Sequence, residues 1–313
     1  MSQPAIHIQN LQKRFGEFVA VKNVNLDVNQ GEIFSLLGPN GAGKSTTISM
    51  LSCLLEPSGG EAYVMGHSVV NEAQAVKASI GMVPQDIALY PDLSASENLS
   101  FWGRMYGLGG NTLSKRVDEV LEIIGLTDRQ KDRVDKFSGG MKRRVNIGAA
   151  LMHKPEVIIM DEPTVGIDPQ SRRNILDNIK ELNSRGMTVL YTTHYMEEAQ
   201  ELSDHIAIMD KGEVIACGTH TELVKLVGEL ERINLTINAE SEKVIADWKA
   251  TTGVRSVSAE DGHLTILAED SNFILPRLFE SAGRAKVRIT SVEIQEPNLE
   301  AVFLHLTGKA LRD

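Results

Sequence analysis

A glycine-rich segment after a short buried strand constrains the fold of this chain more than any other feature. The strand runs from Ile33 to Leu37, and a helical pattern follows the segment. Glycines let backbone N–H groups converge on phosphate oxygens, a lysine reaches the terminal phosphates, and a serine hydroxyl can ligate Mg²⁺. Chance produces the bare pattern in roughly 1% of chains of this length, so we predict a P-loop. Its candidate phosphate-binding residues are Gly38, Asn40, Gly41, Gly43, Lys44, Ser45 and Thr46.

A second buried strand ends in two adjacent carboxylates. The apolar run from Val157 to Met160 is followed by Asp161 and Glu162. At the C-terminal edge of a parallel sheet, both side chains face a ligand that binds there. We expect Asp161 to hold the magnesium environment and Glu162 to orient or deprotonate the water that attacks the γ-phosphate. Without the P-loop, an acidic strand end in solvent would be an equally good interpretation.

The chain alternates buried strands with helical patterns, which predicts an α/β fold around a parallel sheet. Thr188 to Tyr191 is a third strand of this kind. Between residues 5 and 28, apolar and polar residues alternate instead, which predicts a small antiparallel layer ahead of the core. A helix with one buried face is predicted from the spacing of four residues, namely Val117, Val120, Leu121 and Ile124.

The pattern changes after about residue 228. The order becomes strand, helix, two strands, helix and strand, which is compatible with a small split sheet backed by helices. A last helix places four apolar residues on one face, namely Leu299, Val302, Phe303 and Leu306. We expect this face to pack on its own domain, and a dimer contact is the rarer alternative.

Composition excludes several classes of protein. Of the 313 residues 42% are hydrophobic and 24% charged, which is ordinary globular usage. No run approaches the roughly 20 apolar residues of a membrane helix and no secretory core opens the chain, so we expect it to stay in the cytoplasm. Cys53 and Cys217 have no metal-ligand spacing, and we expect buried thiols. The net charge of -10 disfavours a duplex-binding surface, so no nucleic-acid partner is expected.

A second glycine-containing segment opens another helix. Ser138, Gly139 and Gly140 precede the helical stretch from Met141 to Leu151, which creates a second anion-binding helix N-terminus. The sequence contains one P-loop. Two phosphate sites and one loop imply that two chains pair.

In order and spacing, these motifs resemble those of ATP-binding cassette (ABC) proteins, where Ser-Gly-Gly is the signature motif. The resemblance covers residues 4 to about 228 and gives further residues a role. Phe15 stands where an aromatic ring stacks on adenine, and a buried core ring is the alternative. Gln85 matches the glutamine that contacts magnesium and the attacking water. Asp168 matches the residue that reaches across the dimer, and His194 matches the histidine that contacts the γ-phosphate.

Two positions depart from the family pattern. Phe137 replaces the leucine that usually precedes Ser-Gly-Gly, and Met141 replaces the common glutamine. Neither change removes the N–H groups that face phosphate, so we expect modest tuning. The resemblance implies a hydrolysis-competent ATPase that uses ATP and Mg²⁺. The implied catalytic residues are Lys44, Gln85, Glu162 and His194, and the implied magnesium ligands are Ser45, Gln85 and Asp161.

The fold class implied is α/β, with a P-loop NTPase (RecA-like) parallel sheet, an antiparallel β layer and a helical subdomain, plus a small C-terminal α+β domain. We expect a nucleotide-binding domain over 4–228, with its helical subdomain at about 86–150, and an accessory domain over 229–313. The tail from Glu296 to Asp313 is similar to the end of daunorubicin-resistance type exporter ATPases, which pair with ABC-2 membrane subunits.

The resemblance also implies partners and a location. Two ATP-binding subunits, identical or related, would close around two ATP molecules beneath integral membrane permease subunits. The chain would then lie on the cytoplasmic face of the membrane as a peripheral protein. The transported substrate is not readable from the sequence.

Two alternatives remain at this point. A soluble cassette ATPase acting on ribosomes or DNA is disfavoured by the single cassette, the missing long heptad insertion and the acidic charge. A GTPase or small-molecule kinase is disfavoured by the Ser-Gly-Gly helix and by the lack of an Asn-Lys-x-Asp motif in the sequence.

Overall fold

The computed structural model describes residues 3–226, 231–238, 242–260, 263–295 and 298–307. The chain forms two compact units, and the division falls after His220. The predicted boundary at residues 228 and 229 lies outside the described residues, as do the last six residues of the predicted tail helix region. None of the helices in these ranges is long and apolar enough to cross a membrane.

The first unit contains ten strands and seven α-helices within residues 3–220. Its strands are β1 (Ile6–Phe15), β2 (Phe18–Val28), β3 (Ile33–Leu37), β4 (Gly59–Val64), β5 (His67–Ser68), β6 (Ile80–Val83), β7 (Val157–Asp161), β8 (Thr188–Thr193), β9 (His205–Asp210) and β10 (Glu213–Gly218). Its helices are α1 (Lys44–Leu51), α2 (Ala73–Ser79), α3 (Ala95–Met105), α4 (Gly110–Ile123), α5 (Gly139–Leu151), α6 (Pro169–Ser184) and α7 (Met196–Leu202).

The central sheet has the strand order β10-β9-β3-β8-β7-β6, in which only the β10–β9 pair is antiparallel. Both of its faces are covered, since Ile158 and Met160 join one hydrophobic cluster while Val157 and Ile159 join another. Continuous apolar strands are the sequence signature of such a sheet, and the predicted parallel core is confirmed.

A second sheet, in the order β2-β1-β4-β5, is antiparallel throughout and confirms the predicted antiparallel layer. Helices α3, α4 and α5 pack on one another through the cluster that contains Leu99, Val120 and Val145. Helix α4 ends at Ile123, so Ile124 of the predicted helical face is its C-cap residue and is buried there.

The second unit has the predicted element order. After the short helix α8 (His220–Lys225) it contains β11 (Glu231–Ile237), α9 (Glu242–Lys249), β12 (Val254–Glu260), β13 (His263–Ala268), α10 (Ser271–Arg284), β14 (Ile289–Gln295) and α11 (Leu299–Thr307). The four strands form an antiparallel sheet in the order β12-β13-β11-β14. Trp248 is fully buried in its core and donates its Nε1–H to Leu278 O at 3.2 Å. On α11, Leu299, Val302 and Phe303 are buried, whereas Leu306 is 37% exposed and falls outside the packed face. The expectation of two buried thiols is wrong, since in the first unit Cys53 is half-buried and Cys217 is exposed.

Candidate functional site

The C-terminal ends of three neighbouring strands bring the candidate site together. Strand β8 lies between β3 and β7, with Leu37 opposite Thr193 and Asp161 opposite Thr192. The P-loop follows β3, the carboxylate pair ends β7, and His194 follows β8 directly. Three segments far apart in sequence therefore meet at one edge of the sheet, where ligands of parallel sheets bind.

Glycine is required at two positions of the P-loop by close backbone approach. A Cβ at Gly38 would lie 2.3 Å from Met209 O. Gly43 has φ 102 and caps α1, and a Cβ there would lie 2.8 Å from Ala20 O. The loop is thus pressed against β2 and β9 with its backbone exposed to a cavity of about 180 Å³. This cavity is lined by Phe18, Ala20, Asn40, Gly41, Ala42, Gly43, Lys44, Ser45, Thr46, Gln85 and Glu162.

The Lys44 ammonium group is held by the loop and by the carboxylate pair. Its Nζ donates to Gly38 O at 2.7 Å and to Pro39 O at 3.1 Å, and it lies 3.0 Å from Glu162 Oε1. Lys44 is only 4% exposed and Glu162 only 5%. Both charges of this buried ion pair have lost hydration, so removing either partner would leave the other as an uncompensated buried charge.

Glu162 occupies a strained backbone position. Its φ is 43, in the left-handed region that non-glycine residues seldom adopt. Thr192 holds it there, because the Glu162 N–H is 3.0 Å from Thr192 Oγ1 and 3.2 Å from Thr192 O. The second carboxylate oxygen lies 3.2 Å from His194 Nδ1. Lys44, Glu162 and His194 therefore form one connected cluster, and such strain is characteristic of functional positions.

Asp161 lies beside this cluster and forms a second group with hydroxyls. Its Oδ1 accepts from Ser45 Oγ at 3.2 Å and from Thr192 Oγ1 at 2.7 Å. Gln85 is exposed and lines the same cavity. Of the three predicted magnesium ligands, Ser45 and Gln85 line the cavity, and Asp161 is joined to Ser45 by the hydrogen bond above. Their side-chain oxygens are ligands that suit Mg²⁺.

The Ser-Gly-Gly segment begins a different element and does not line the P-loop cavity. Ser138 caps α5, with its Oγ accepting from Met141 N at 3.3 Å, and both Ser138 and Gly139 are exposed. Gly140 is buried, and a Cβ there would lie 2.3 Å from the Ser171 side chain. The first turn of α5 therefore packs against the start of α6 through Gly140, while Ser138 and Gly139 at its N-terminus face solvent.

Asp168 caps α6 and is exposed. Its Oδ1 accepts from Ser171 N at 2.9 Å, and this backbone hydrogen bond lowers the pKa of the Asp168 carboxyl. The predicted contact across a dimer is not tested by this geometry and stays a prediction. The negative charge of Asp168 also suits the positive end of the α6 dipole.

Two aromatic rings, not one, lie near the P-loop. Phe15 ends β1, is 50% exposed and has Lys13 Nζ 5.3 Å from its ring centroid. It is paired across the hairpin with Phe18, which is 66% exposed and lines the P-loop cavity. The sequence analysis did not select Phe18, because its exposure beside the P-loop follows from the structure and from no sequence motif. The adenine-stacking role of Phe15 stays a prediction.

The chemistry available at this edge is phosphoryl transfer to water. The loop N–H groups and Lys44 can hold phosphate oxygens, and the Glu162 carboxylate can accept a proton from water. A nucleotide site of this form, with a separate exposed Ser-Gly-Gly helix start in the same unit, defines an ATP-binding cassette ATPase.

Two family comparisons agree with this class. Residues 21–165 match the family described as ABC transporter. Residues 228–307 match the C-terminal domain described as ATP-binding protein DrrA1-3-like. The chain belongs to the ATP-binding proteins of ABC transporters and carries the DrrA-like C-terminal domain.

Similar proteins extend this result to nearly the whole chain. The Bacillus subtilis linearmycin resistance ATP-binding protein LnrL is 49% identical over 310 residues, which cover 98% of this chain and 100% of LnrL. The Streptomyces coeruleorubidus daunorubicin resistance ATP-binding protein DrrA3 is 38% identical over 98% of this chain and 97% of its own length. Both matches include the second unit.

Solved structures match the first part of the chain. The ATP-binding cassette MJ0796, solved as a dimer in a post-hydrolysis state bound to ADP and Pi, has a TM-score of 0.62 and 31% identity. This match covers 68% of the present chain and 98% of MJ0796. The cbiO1 subunit from Clostridium perfringens, part of the cbiONQ complex, has a TM-score of 0.66 and 28% identity over 72% of this chain and 95% of cbiO1.

Proposed function

We propose that this chain is the ATP-hydrolysing subunit that powers export through a separate ABC-2 type membrane permease. The observation that carries the proposal is the connected cluster of Lys44, Glu162 and His194 beside the P-loop. The relatives named as resistance and export ATP-binding proteins favour export over the alternative of a soluble cassette ATPase acting on ribosomes or DNA.

In the proposed reaction, ATP phosphates enter the P-loop cavity and compete with Glu162 for the Lys44 ammonium group. Glu162 is then released to accept the proton of the attacking water. His194, 3.2 Å from the Glu162 carboxylate, orients that carboxylate and contacts the γ-phosphate. The loop N–H groups and Lys44 stabilise the charge that the transferred phosphoryl group carries.

Magnesium fits the group formed by Ser45, Asp161 and Gln85. Asp161 supplies the single carboxylate with which Mg²⁺ is often held beside a nucleotide, and Ser45 Oγ is already within 3.2 Å of it. When bound, Mg²⁺ would neutralise charge on the β- and γ-phosphates. The role of Thr192 is to keep Asp161 in place through its 2.7 Å hydrogen bond.

Hydrolysis by two chains together explains the exposed Ser138 and Gly139. Each chain would offer its P-loop to one ATP and the N-terminus of its α5 to the ATP of the partner. The helix N-terminus supplies free N–H groups and a positive partial charge to that ATP. Asp168, at the N-terminus of the adjacent α6, is exposed and would reach the partner. The partner is a second copy of this chain or a close relative.

The permease is proposed to dock in an apolar groove beside the Gln85 segment. This cavity of about 400 Å³ is lined by residues of both the sheet core and the helical part of the unit, including Leu54, Ile80, Met82, Pro84, Trp102 and Asn146. Trp102 Nε1 and Asn146 Nδ2 are buried and have no hydrogen-bond partner among the described residues. The apolar lining of this groove suits the apolar face of a helix from the permease.

The groove also suggests where the chain resides. A cytoplasmic subunit that binds the inner loops of a permease is a peripheral protein on the cytoplasmic face of the membrane. We propose this location on the strength of the docking groove and of the family to which the chain belongs.

The test co-expresses the tagged chain with a candidate ABC-2 type membrane protein, chosen from the reading frames next to that of this chain. We expect the two to co-purify from detergent-solubilised membranes, and Leu54→Asp to release the chain because Leu54 lines the groove. Val70→Asp is the matched control, since Val70 is 48% exposed and Leu54 is 69% exposed. Equal retention of both variants would exclude the groove, and loss of co-purification for the unmodified chain would exclude this permease as partner.

A further inference from the structure

The segment that carries Gln85 is held in place by side chains of α5. Residues 84–88 follow β6 and have no helix or strand of their own. The Arg143 guanidinium donates from Nη1 to Pro84 O at 2.7 Å and from Nη2 to Gln85 O. One helical turn later, Asn146 Oδ1 accepts from Ala88 N at 3.2 Å. Two side chains on one face of α5 therefore satisfy three backbone groups of the Gln85 segment.

Arg143 is an unusual residue for this position on stability grounds alone. It is 3% exposed, and within the described ranges it forms no ion pair. Burial lowers the pKa of its guanidinium, and the negative charges of Asp86 and Asp161 oppose that shift. A buried charge without an ion-pair partner costs stability that an apolar side chain would not. Its rigid fork is, however, well suited to hold two adjacent carbonyls at once.

Helix α5 connects Arg143 to the other half of the nucleotide site. Ser138 caps the helix, and Arg143 lies five residues further on, a rise of about 7.5 Å. In the proposed dimer, Ser138 contacts the ATP of the partner, while Gln85 contacts the ATP of its own chain. One helix is therefore linked to both nucleotides in the proposed dimer. It contacts the partner's ATP through its N-terminus, and Arg143 links it to the segment whose Gln85 contacts the ATP of its own chain.

We propose that Arg143 is a positioning residue that ties the Gln85 segment to α5, so that Gln85 is placed for hydrolysis when Ser138 of the same chain has engaged the partner's ATP. This inference rests on the proposed function, because it assigns the route by which one ATP site influences the other. The relevant contact is to backbone carbonyls, so Arg143 acts through Gln85 and not on the nucleotide.

The next residue provides a matched control. Arg144 belongs to the same helix and also donates to two carbonyls, Ile124 O at 3.0 Å and Gly125 O at 3.2 Å. Because a helix rotates by about 100° per residue, Arg144 points to the end of α4 and not to the Gln85 segment. Its loss removes comparable hydrogen bonds without disconnecting Gln85.

The experiment is a double-mutant cycle on the full chain, with ATP hydrolysis measured over a range of ATP concentrations. Arg143→Gln should lower kcat about tenfold with little change in KM, and Arg143→Lys should restore part of the loss because a lysine can reach one carbonyl. In a Gln85→Ala background, Arg143→Gln should lower kcat by less than about twofold, since the residue it positions is gone. Arg144→Gln should change kcat by less than about twofold in either background.

Three outcomes contradict the inference. The first is an equal effect of Arg143→Gln with and without Gln85, and the second is the same coupling for Arg144→Gln. The third is a kcat of Arg143→Lys as low as that of Arg143→Gln although the thermal unfolding of Arg143→Lys matches that of the unmodified chain. If Gln85→Ala leaves kcat unchanged, both the proposed role of Gln85 and this inference are wrong. If Gln85→Ala lowers kcat but the effects of the two substitutions are additive, only this inference is wrong.

Discussion

The two halves of the nucleotide site are built in opposite ways. In the P-loop half, Lys44, Glu162 and His194 are buried or nearly so, and Glu162 contacts both of the others. In the Ser-Gly-Gly half, Ser138 and Gly139 are exposed and do not line the P-loop cavity. The first half is complete within one chain, since its charges are paired by neighbouring strands.

This difference has a physical reason. Buried charges have to be paired inside the chain, because an isolated one is costly. Exposed N–H groups at a helix N-terminus are hydrated, so leaving them without a protein partner costs little stability. They remain available to bind a phosphate group held by another chain. The contrast predicts that substitutions in the first half abolish the hydrolysis step, while substitutions in the second half prevent the helix N-terminus from binding the ATP of the partner chain.

The largest effect is expected at Glu162. Glu162→Gln keeps the size and the neighbours of the side chain and removes the base, so kcat should fall about 10³-fold while ATP binding persists. We also expect the variant to accumulate as an ATP-bound dimer, observable by size-exclusion chromatography with ATP. The control Glu181→Gln changes an exposed carboxylate that pairs with Arg185 on the surface, and its kcat should not change. Unchanged phosphate release by Glu162→Gln would refute the base.

A smaller loss is expected at Ser138. Ser138→Arg places a bulky cation at the α5 N-terminus, which should lower turnover about 10²-fold by blocking the partner's phosphate. ATP bound by an isolated chain should be affected little, because the P-loop cavity is untouched. Ser114→Arg on the exposed side of α4 is the matched control. If fluorescent ATP binding to monomers fell as much as turnover, the two halves would not be separable.

His194 should show an intermediate role within the buried half. His194→Ala removes the 3.2 Å contact to Glu162, and we expect kcat to fall about tenfold with little change in KM. Single-turnover measurements distinguish slower chemistry from slower product release. A His194→Ala enzyme with full kcat would show that Glu162 is held by Lys44 and Thr192 alone.

The smallest effect is a loss of folding stability, and it tests whether a stabilising helix cap can be removed without changing ATPase activity. Ser94 caps α3 in a capping box with Glu97, and Ser94→Ala should cost about 1 kcal/mol of unfolding free energy without changing kcat. The Ser94 hydroxyl and N–H lower the pKa of Glu97 in the folded chain. Because the pKa of Glu97 is lowered by folding, its ionised carboxylate stabilises the folded chain at a pH above the ordinary pKa of 4.5. This stabilisation is lost as the pH falls through the pKa that Glu97 has in the folded chain. The stability difference between the two proteins should therefore shrink below pH 4.5, as measured by urea unfolding.

Much of the sheet core could be predicted, because its strands are buried on both faces. Ile33–Leu37 has the predicted limits, and β7 and β8 extend the predicted runs only to Asp161 and Thr193. The site extends beyond the apolar runs, since Asp161 is the last residue of β7 and Glu162 and His194 follow β7 and β8 directly. Periodicity locates the apolar core and says little about where its polar ends point.

The contacts within the site could not be predicted from sequence. The position of Glu162 depends on a backbone conformation with φ 43, and a carboxylate at the end of a predicted strand does not indicate such a conformation. Thr192, which binds both Asp161 and the Glu162 N–H, carries no motif. Likewise, Arg143 and Arg144 are adjacent and identical in type, and only the direction in which each leaves the helix gives them different partners.

The same limit applies to the second unit. Its order of strands and helices follows from apolar periodicity, and Trp248 and Leu278 meet as core residues should. The last helix was expected to bury four residues. Leu299, Val302 and Phe303 are buried, whereas Leu306, one turn further along the helix, is exposed. Amphipathic spacing predicts a face and not how far that face is covered.

The most direct measurement of the central claim mixes two damaged chains. Lys44→Ala destroys the P-loop half, and Ser138→Arg destroys the half offered to the partner, so each variant alone should have almost no ATPase activity. In a mixed dimer, one site combines the intact P-loop of one chain with the intact Ser138 of the other. Random pairing into dimers would give about a quarter of the normal rate if the two sites acted independently. We expect a measurable rate below that value, because the working P-loop belongs to the chain whose own Ser138 is replaced and whose Gln85 is therefore incompletely positioned. A mixture that stays as inactive as its components, or a Ser138→Arg chain that hydrolyses ATP at the normal rate by itself, would contradict the shared site.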